Sequence, residues 1–280
     1  MPGFVETASS TSLLLDLAAL ATLVPGALVR WRRNDTRDAM FFGALALAAI
    51  GPLSWAAAQL GGAWHTGFAT SLWITIATTM VLYVALAAAT RHAWRLAALL
   101  LPYLLLLGIL ATIWQGAPEA PIPRNLPSGW LDAHIGFAVA TYGLITLAAV
   151  AGAAVFLQER ALKTKRPTAL TRLLPAVADS ERLEIQLLYA AEAVLALGVL
   201  SGIATQYLSG AGGFALDNKT LLSVAAFAVI GVLLLARRTS GLRGRRAARW
   251  ALIAYLLLTL AYPGVKFVTD VLLAGGSTRI

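Results

Sequence analysis

The chain has 280 residues, 59% of them hydrophobic and only 12% charged, whereas soluble globular domains have roughly 45–50% apolar and about 25% charged residues. With a mean hydropathy of +0.76, that balance excludes an ordinary soluble domain. The absence of cysteine excludes disulfides, thiolate metal sites and CxxCH haem attachment.

In chain order, eight apolar stretches are predicted to span a bilayer: Leu13–Val29, Ala39–Leu60, Gly67–Ala89, Leu96–Trp114, Leu131–Leu157, Ile185–Leu208, Leu221–Ala236 and Trp250–Leu273. A hydrocarbon core about 30 Å thick requires about 20 apolar residues per helix. Unpaired backbone polar groups are too costly in lipid for any span to be irregular, so each should be helical. The two-residue alternation of an outer-membrane barrel is missing. The fold class is therefore all-α, a polytopic transmembrane helical bundle of about eight helices, read as a single integral membrane domain over residues 1–280. No cleavable signal peptide is expected, because the first eleven residues hold no Lys or Arg and so lack a positive n-region.

The net charge of +9 belongs to topology, and no nucleic-acid partner is expected. Basic residues gather between alternate pairs of spans: Arg30, Arg32, Arg33 and Arg37; Arg91 and Arg95; Arg160, Lys163, Lys165, Arg166, Arg172 and Arg182; Arg237, Arg238, Arg243, Arg245, Arg246 and Arg249. These are eighteen of the 22 Lys and Arg. Short cytoplasmic loops carry the basic excess, so both termini are expected outside. The longest outer connection, Gln115–Trp130, holds four prolines and should fold at the membrane surface, with Trp114 and Trp130 at the interface. The longest inner connection, Gln158–Glu184, is basic and then amphipathic. Its plain reading is a topology determinant; the sharper readings are that it lies along anionic headgroups or docks another membrane or cytosolic protein. No duplication between the first and second four spans is visible.

Ionisable groups inside a membrane are costly and are functional candidates by default. Here they are Asp16, His65, His134, Glu192, Lys266 and Asp270. His134, in WLDAHIGFAVATYG, stands near the outer end of the fifth span, where a neutral imidazole can ligate haem iron or another metal. His65, in GGAWHTGF, begins the third span on the same side, so the two histidines could supply both axial ligands. The bland alternative for each is an interfacial histidine bonded to backbone or water. His92, in a basic inner turn, is expected to be solvated. Lys266 and Asp270, spaced i,i+4, would share a helix face as an ion pair, which Asp16 could join; a proton or ion path is the sharper reading. Glu192 has no obvious basic partner at its depth. Gly198 and Gly202 form a GxxxG pattern that favours close helix packing.

The run WLDAHIGFAVATYG (Trp130–Gly143), followed by FLQERALKTK (Phe156–Lys165), resembles the cytochrome c assembly family of integral membrane proteins. LLPAVADSERLE (Leu173–Glu184) and LAYPGVKFV (Leu260–Val268) resemble its short HemX-like or CcsA-like inner-membrane branch. The resemblance covers mainly Trp130 to the C-terminus. It implies a multi-pass protein of a bacterial-type inner membrane, with His134 in the W-x-x-x-H setting of a haem ligand. The chain lacks the tryptophan-rich WGxxWxWD segment and the second outer histidine of the family's haem-handling members.

The function implied is haem binding or delivery for cytochrome assembly, without catalysis by the chain, since no catalytic constellation is visible. Two alternatives are a non-catalytic regulatory or scaffold subunit in tetrapyrrole-synthesis control or metal-ion homeostasis, and a transporter built on the intramembrane charges. An absorbance spectrum, a pull-down through the Gln158–Glu184 loop and a reconstituted flux assay separate the three.

Overall fold

A computed structural model describes residues 3–32, 38–60, 65–117, 120–121, 128–208 and 218–273. Its helices are α1 (Gly3–Arg32), α2 (Ala39–Leu60), α3 (Phe68–Ala89), α4 (Ala97–Ile113), α5 (Ser128–Thr164), α6 (Ala169–Leu173), α7 (Val177–Leu208), α8 (Asn218–Ser240) and α9 (Gly244–Thr259). Helices cover all eight predicted spans, and the fold is helical as expected. Six of them are long and apolar enough to cross a membrane: Ala39–Gln59, Phe68–Ala89, Ala93–Ile113, Gly129–Thr164, Val177–Tyr207 and Thr220–Ser240. The first and last predicted spans fall short of that standard among the described residues. The apolar part of α1 is Ser12–Leu28, and α9 opens on the basic run Arg245, Arg246 and Arg249 before its helix changes form.

The chain packs as two compact units. The first comprises Met1–Ala89, Ala97–Ile122 and Lys266–Ile280; the second comprises Thr90–Leu96 and Pro123–Val265. In the first unit α1 packs on α2 and α4, and α3 packs on α2 and α4, closing a ring of four neighbours. Trp73, Ile76, Met80 and Tyr83 on α3 are fully buried. Pro25, Pro52 and Pro102 sit inside α1, α2 and α4, as membrane helices tolerate when neighbours resatisfy the freed backbone. At one end His65–Thr66 pairs antiparallel with Ala120–Pro121, a two-residue ladder that ties the start of the third span to the proline-rich connection. Residues 122–127 of that connection lie outside the described residues. Beside the ladder Trp114 meets Phe267 edge-on at 5.5 Å and Phe68 at 6.2 Å.

In the second unit α5, α7, α8 and α9 close a second ring. Of the candidate spans, α5 is the most enclosed, with 78% of its most apolar window buried against 22% for α8. Thus α5 forms the axis of this unit, while α8 presents Leu221, Val232 and Leu235 outward, as a lipid-facing helix should.

Two local expectations change. Gln158–Glu184 is largely not a loop: α5 runs on to Thr164, α7 starts at Val177, and α6 lies between them. Thr168 caps α6 in a reciprocal capping box with Thr171; such a box satisfies two otherwise orphaned backbone donors. Gln158 Nε2 donates to Thr171 O at 2.9 Å and Pro175 O at 3.0 Å, which holds the connection down. The eighth span is not one regular helix either. After α9 the chain is π-helical over Leu260–Gly264 and again over Phe267–Leu273. Pro263 lies in the first of these; it has no N–H to donate and its ring opposes the carbonyl four residues back, so the helix widens.

Candidate functional site

A cavity of about 350 Å³ opens in the second unit between α5, α7, α8 and the end of α9. Ile135, Ala138, Leu195, Val199, Ile203, Val224 and Leu258 form its apolar walls, while His134, Thr141, Tyr142, Thr205, Gln206, Thr220 and Ser223 are its polar lining. An apolar recess with a few convergent polar groups is the usual form of a small-molecule site, and its volume lies toward the lower end of the roughly 300–1,000 Å³ range.

His134 and Tyr142 lie eight residues apart on α5, so a 3.6-residue turn brings both to the face that lines the cavity. Opposite them on α7 are Gly198 and Gly202. A methyl group on Gly202 would lie 3.0 Å from His134 Cε1, and one on Gly198 would lie 3.7 Å from Phe137 Cβ. The GxxxG pattern therefore does more than bring helices together. It leaves a shallow seat on α7 into which the imidazole fits.

Hydrogen bonding then assigns the ring its tautomer. Ser201 Oγ lies 2.9 Å from Gly198 O and 2.8 Å from His134 Nδ1. A carbonyl can only accept, so the hydroxyl gives its single proton to Gly198 O and accepts from Nδ1–H. The neutral imidazole is left with a lone pair on Nε2, the form in which histidine ligates a metal. Behind Tyr142, which lines the cavity, Thr259 Oγ1 donates to Tyr255 O at 2.8 Å and accepts from the Tyr142 hydroxyl at 3.1 Å. The Tyr142 and Tyr255 hydroxyls are 3.4 Å apart.

The other sequence candidates are not among the described residues that line this cavity. His65 belongs to the first unit, where its backbone pairs with Pro121; its side chain lies outside the described residues. Asp16 is 2% exposed in the same unit and accepts from Trp55 Nε1 at 2.6 Å, with Trp55 stacked on Trp73 at 5.6 Å. The Asp270 side chain is also outside the described residues. The segment that carries Lys266 and Asp270 is partly π-helical, over Phe267–Leu273. Glu192 faces α8, where a methyl on Gly231 would lie 3.1 Å from its Oε1, and its Oε2 is buried without a hydrogen-bond partner. His92 is half-exposed, as expected, and its Nδ1 lies 3.2 Å from Asp179 Oδ1. Among the described residues, no three His, Asp or Glu side chains gather as a metal site.

The sequence reading missed an ion pair between Glu184 on α7 and Arg237 on α8, their side chains 0% and 6% exposed. Beside it Gly244, at φ +64°, donates its N–H to Glu181 Oε1 at 2.5 Å, and the Arg245 guanidinium lies 4.5 Å over the Phe156 ring.

Comparison with known proteins agrees with the motif-based resemblance. The chain matches the family described as "Cytochrome C assembly protein" over residues 53–273. It belongs to that family. One relative is 55% identical over 269 residues, covering 94% of this chain and 99% of its own length; it is the "Uncharacterized 28.8 kDa protein in nifR3-like 5'region" of Azospirillum brasilense. "Protein HemX" of Brevibacillus brevis is 29% identical over 150 residues, covering 52% of this chain and 55% of its own. No solved structure matches the chain. The family match takes in the whole His134 cavity and both glycines of its seat.

The residues present fit haem in one respect that can be named. His134 offers one imidazole nitrogen within an apolar recess and would be the residue to hold haem iron. The described lining holds no Lys or Arg to meet propionates, so those carboxylates would have to project beyond it.

Proposed function

We propose that this family member binds haem through His134 Nε2 in the cavity between α5 and α7, as a non-catalytic haem-holding step of cytochrome assembly. The observation that carries the reading is the seat itself: an imidazole on the axial helix, positioned by Gly202, with Nδ1 engaged by Ser201. Haem, when bound, supplies an iron centre that accepts a neutral imidazole nitrogen. The chain's own residues do the rest. Ser201 holds the ring's orientation and tautomer, the aliphatic walls exclude water, and Thr259 fixes the hydroxyl of Tyr142, which lines the wall. Family membership and the HemX relative support this assignment.

The proposal includes eight spans, with α1 and the α9–π-helical segment completing the six apolar ones, in a bacterial-type cytoplasmic membrane with both termini outside. The one-sided distribution of basic residues supports that orientation. It places the start of α5, and so His134, toward the outer face.

Haem titration of the purified chain is the direct test. Wild-type protein is expected to develop a Soret band that saturates, and His134→Ala to lose it while keeping its helical circular dichroism. An unchanged band in His134→Ala would remove the histidine from the site.

A further inference from the structure

Glu192 stands at the middle of α7 (Val177–Leu208), which in the proposed topology is the middle of the bilayer. Its side chain is half-buried and turned to α8. A methyl group on Gly231 would lie 3.1 Å from its Oε1, so this glycine makes room for the carboxyl as Gly202 does for His134. Oε2 is buried without a hydrogen-bond partner.

The helices packed on α7 in this unit are α5, α8 and α9. Between His134 and Glu159 the only ionisable side chain of α5 is Tyr142. α8 has none between Lys219 and Arg237, and α9 has only Tyr255 beyond Arg249. On α7 itself the flanking groups are Tyr189 and Glu184. Arg237 lies six residues beyond Gly231 and is already paired with Glu184. Among the described residues of this unit, therefore, no cation shares the level of Glu192.

A carboxyl at such a depth is costly unless a positive group shares its surroundings. These helices supply none, but the cavity above can admit one. Leu195, the first α7 residue of the cavity wall, is three residues on from Glu192, so the two share a helix face. The carboxyl thus lies one turn, about 4.5 Å, beyond the inner end of that wall. Ser201, which holds the His134 ring, is nine residues on, about 13.5 Å along the axis. The cavity lining itself holds no Asp, Glu, Lys or Arg.

We infer that Glu192 is the counter-charge of the His134 cavity and turns it toward a metalloporphyrin whose core is positively charged. The inference rests on the haem reading above and adds a preference to it. Ferric haem, with one positive charge at its core, is favoured over a porphyrin whose divalent metal leaves the core neutral. At about 13.5 Å and an effective dielectric near 20, one unit charge makes a roughly tenfold difference.

The test uses the full chain in detergent and two ligands of one shape, ferric haem and zinc protoporphyrin. Both carry the same propionates and accept an axial nitrogen; they differ in core charge. Glu192→Gln is expected to weaken ferric haem roughly tenfold and to leave zinc protoporphyrin within about twofold of wild type. Glu192→Asp, which keeps the charge, should keep the preference. In the haem-loaded protein the midpoint potential should rise by about 59 mV in Glu192→Gln, the equivalent of tenfold for one electron. The carboxyl has no partner to leave stranded, so the Gln variant should fold, and its zinc protoporphyrin binding reports that it has. Equal weakening of both porphyrins, or an unchanged ferric preference and potential, would overturn the inference and leave haem at His134. Binding of both porphyrins that is indifferent to His134→Ala would instead remove the haem reading, and this preference with it.

Discussion

His134 draws its chemistry from three neighbours on α7: a glycine that makes room, a serine that takes Nδ1–H and a carbonyl that takes the serine's proton. Ser201→Ala should leave the ring in place but remove the bond that fixes its tautomer. Haem affinity is expected to fall about 10–100-fold, the usual cost of losing such a supporting partner, with little change in melting temperature. Equal affinity in wild type and Ser201→Ala would show that the tautomer does not matter. His134 was legible in the sequence because an imidazole is costly inside an apolar span and stands out from its aliphatic neighbours. Ser201 was not, because its partner lies 67 residues away and an intrahelical serine bond to i−3 gives no outward sign. Asp16 is similar: its carboxylate was visible, but Trp55, 39 residues on, was not.

At the level of elements, apolar length located every long helix, since lipid leaves the backbone no other economical structure. Pattern reading failed where helices continue into water. α5 runs seven residues past the predicted end of its span, at Thr164 rather than Leu157, because nothing in QERALKT breaks a helix. Glu184 looked like the last residue of a surface loop, yet it is buried against Arg237; only the packing of α7 on α8 makes that pair. Removing one member should destabilise more than removing both. Glu184→Leu leaves an unpaired buried guanidinium and is expected to cost about 3–5 kcal/mol, whereas Glu184→Leu/Arg237→Leu should recover much of that loss. Thermal unfolding in detergent measures both, and a double variant no more stable than the single one would contradict this role.

For the whole molecule, the charge alternation implies an orientation, and the absence of cysteine makes that orientation simple to test. Single cysteines at Thr164 and Ser240 should be protected from a membrane-impermeant maleimide in intact cells and react after permeabilisation. Cysteines at Gly129 and Ser277 should react in both cases. Labelling of Thr164→Cys before permeabilisation would reverse the orientation and move His134 to the inner face. Neither the division into two four-helix rings nor the cavity inside the second was legible. Both depend on which helices are neighbours, and eight apolar stretches of similar length carry little information about that.

The haem reading depends most directly on the absorbance spectrum of the purified chain titrated with haem, recorded for wild type and for His134→Ala. A saturable Soret band in the wild type that disappears in the variant is the expected result. A band of the same amplitude and position in both proteins, or no band in either, would contradict it.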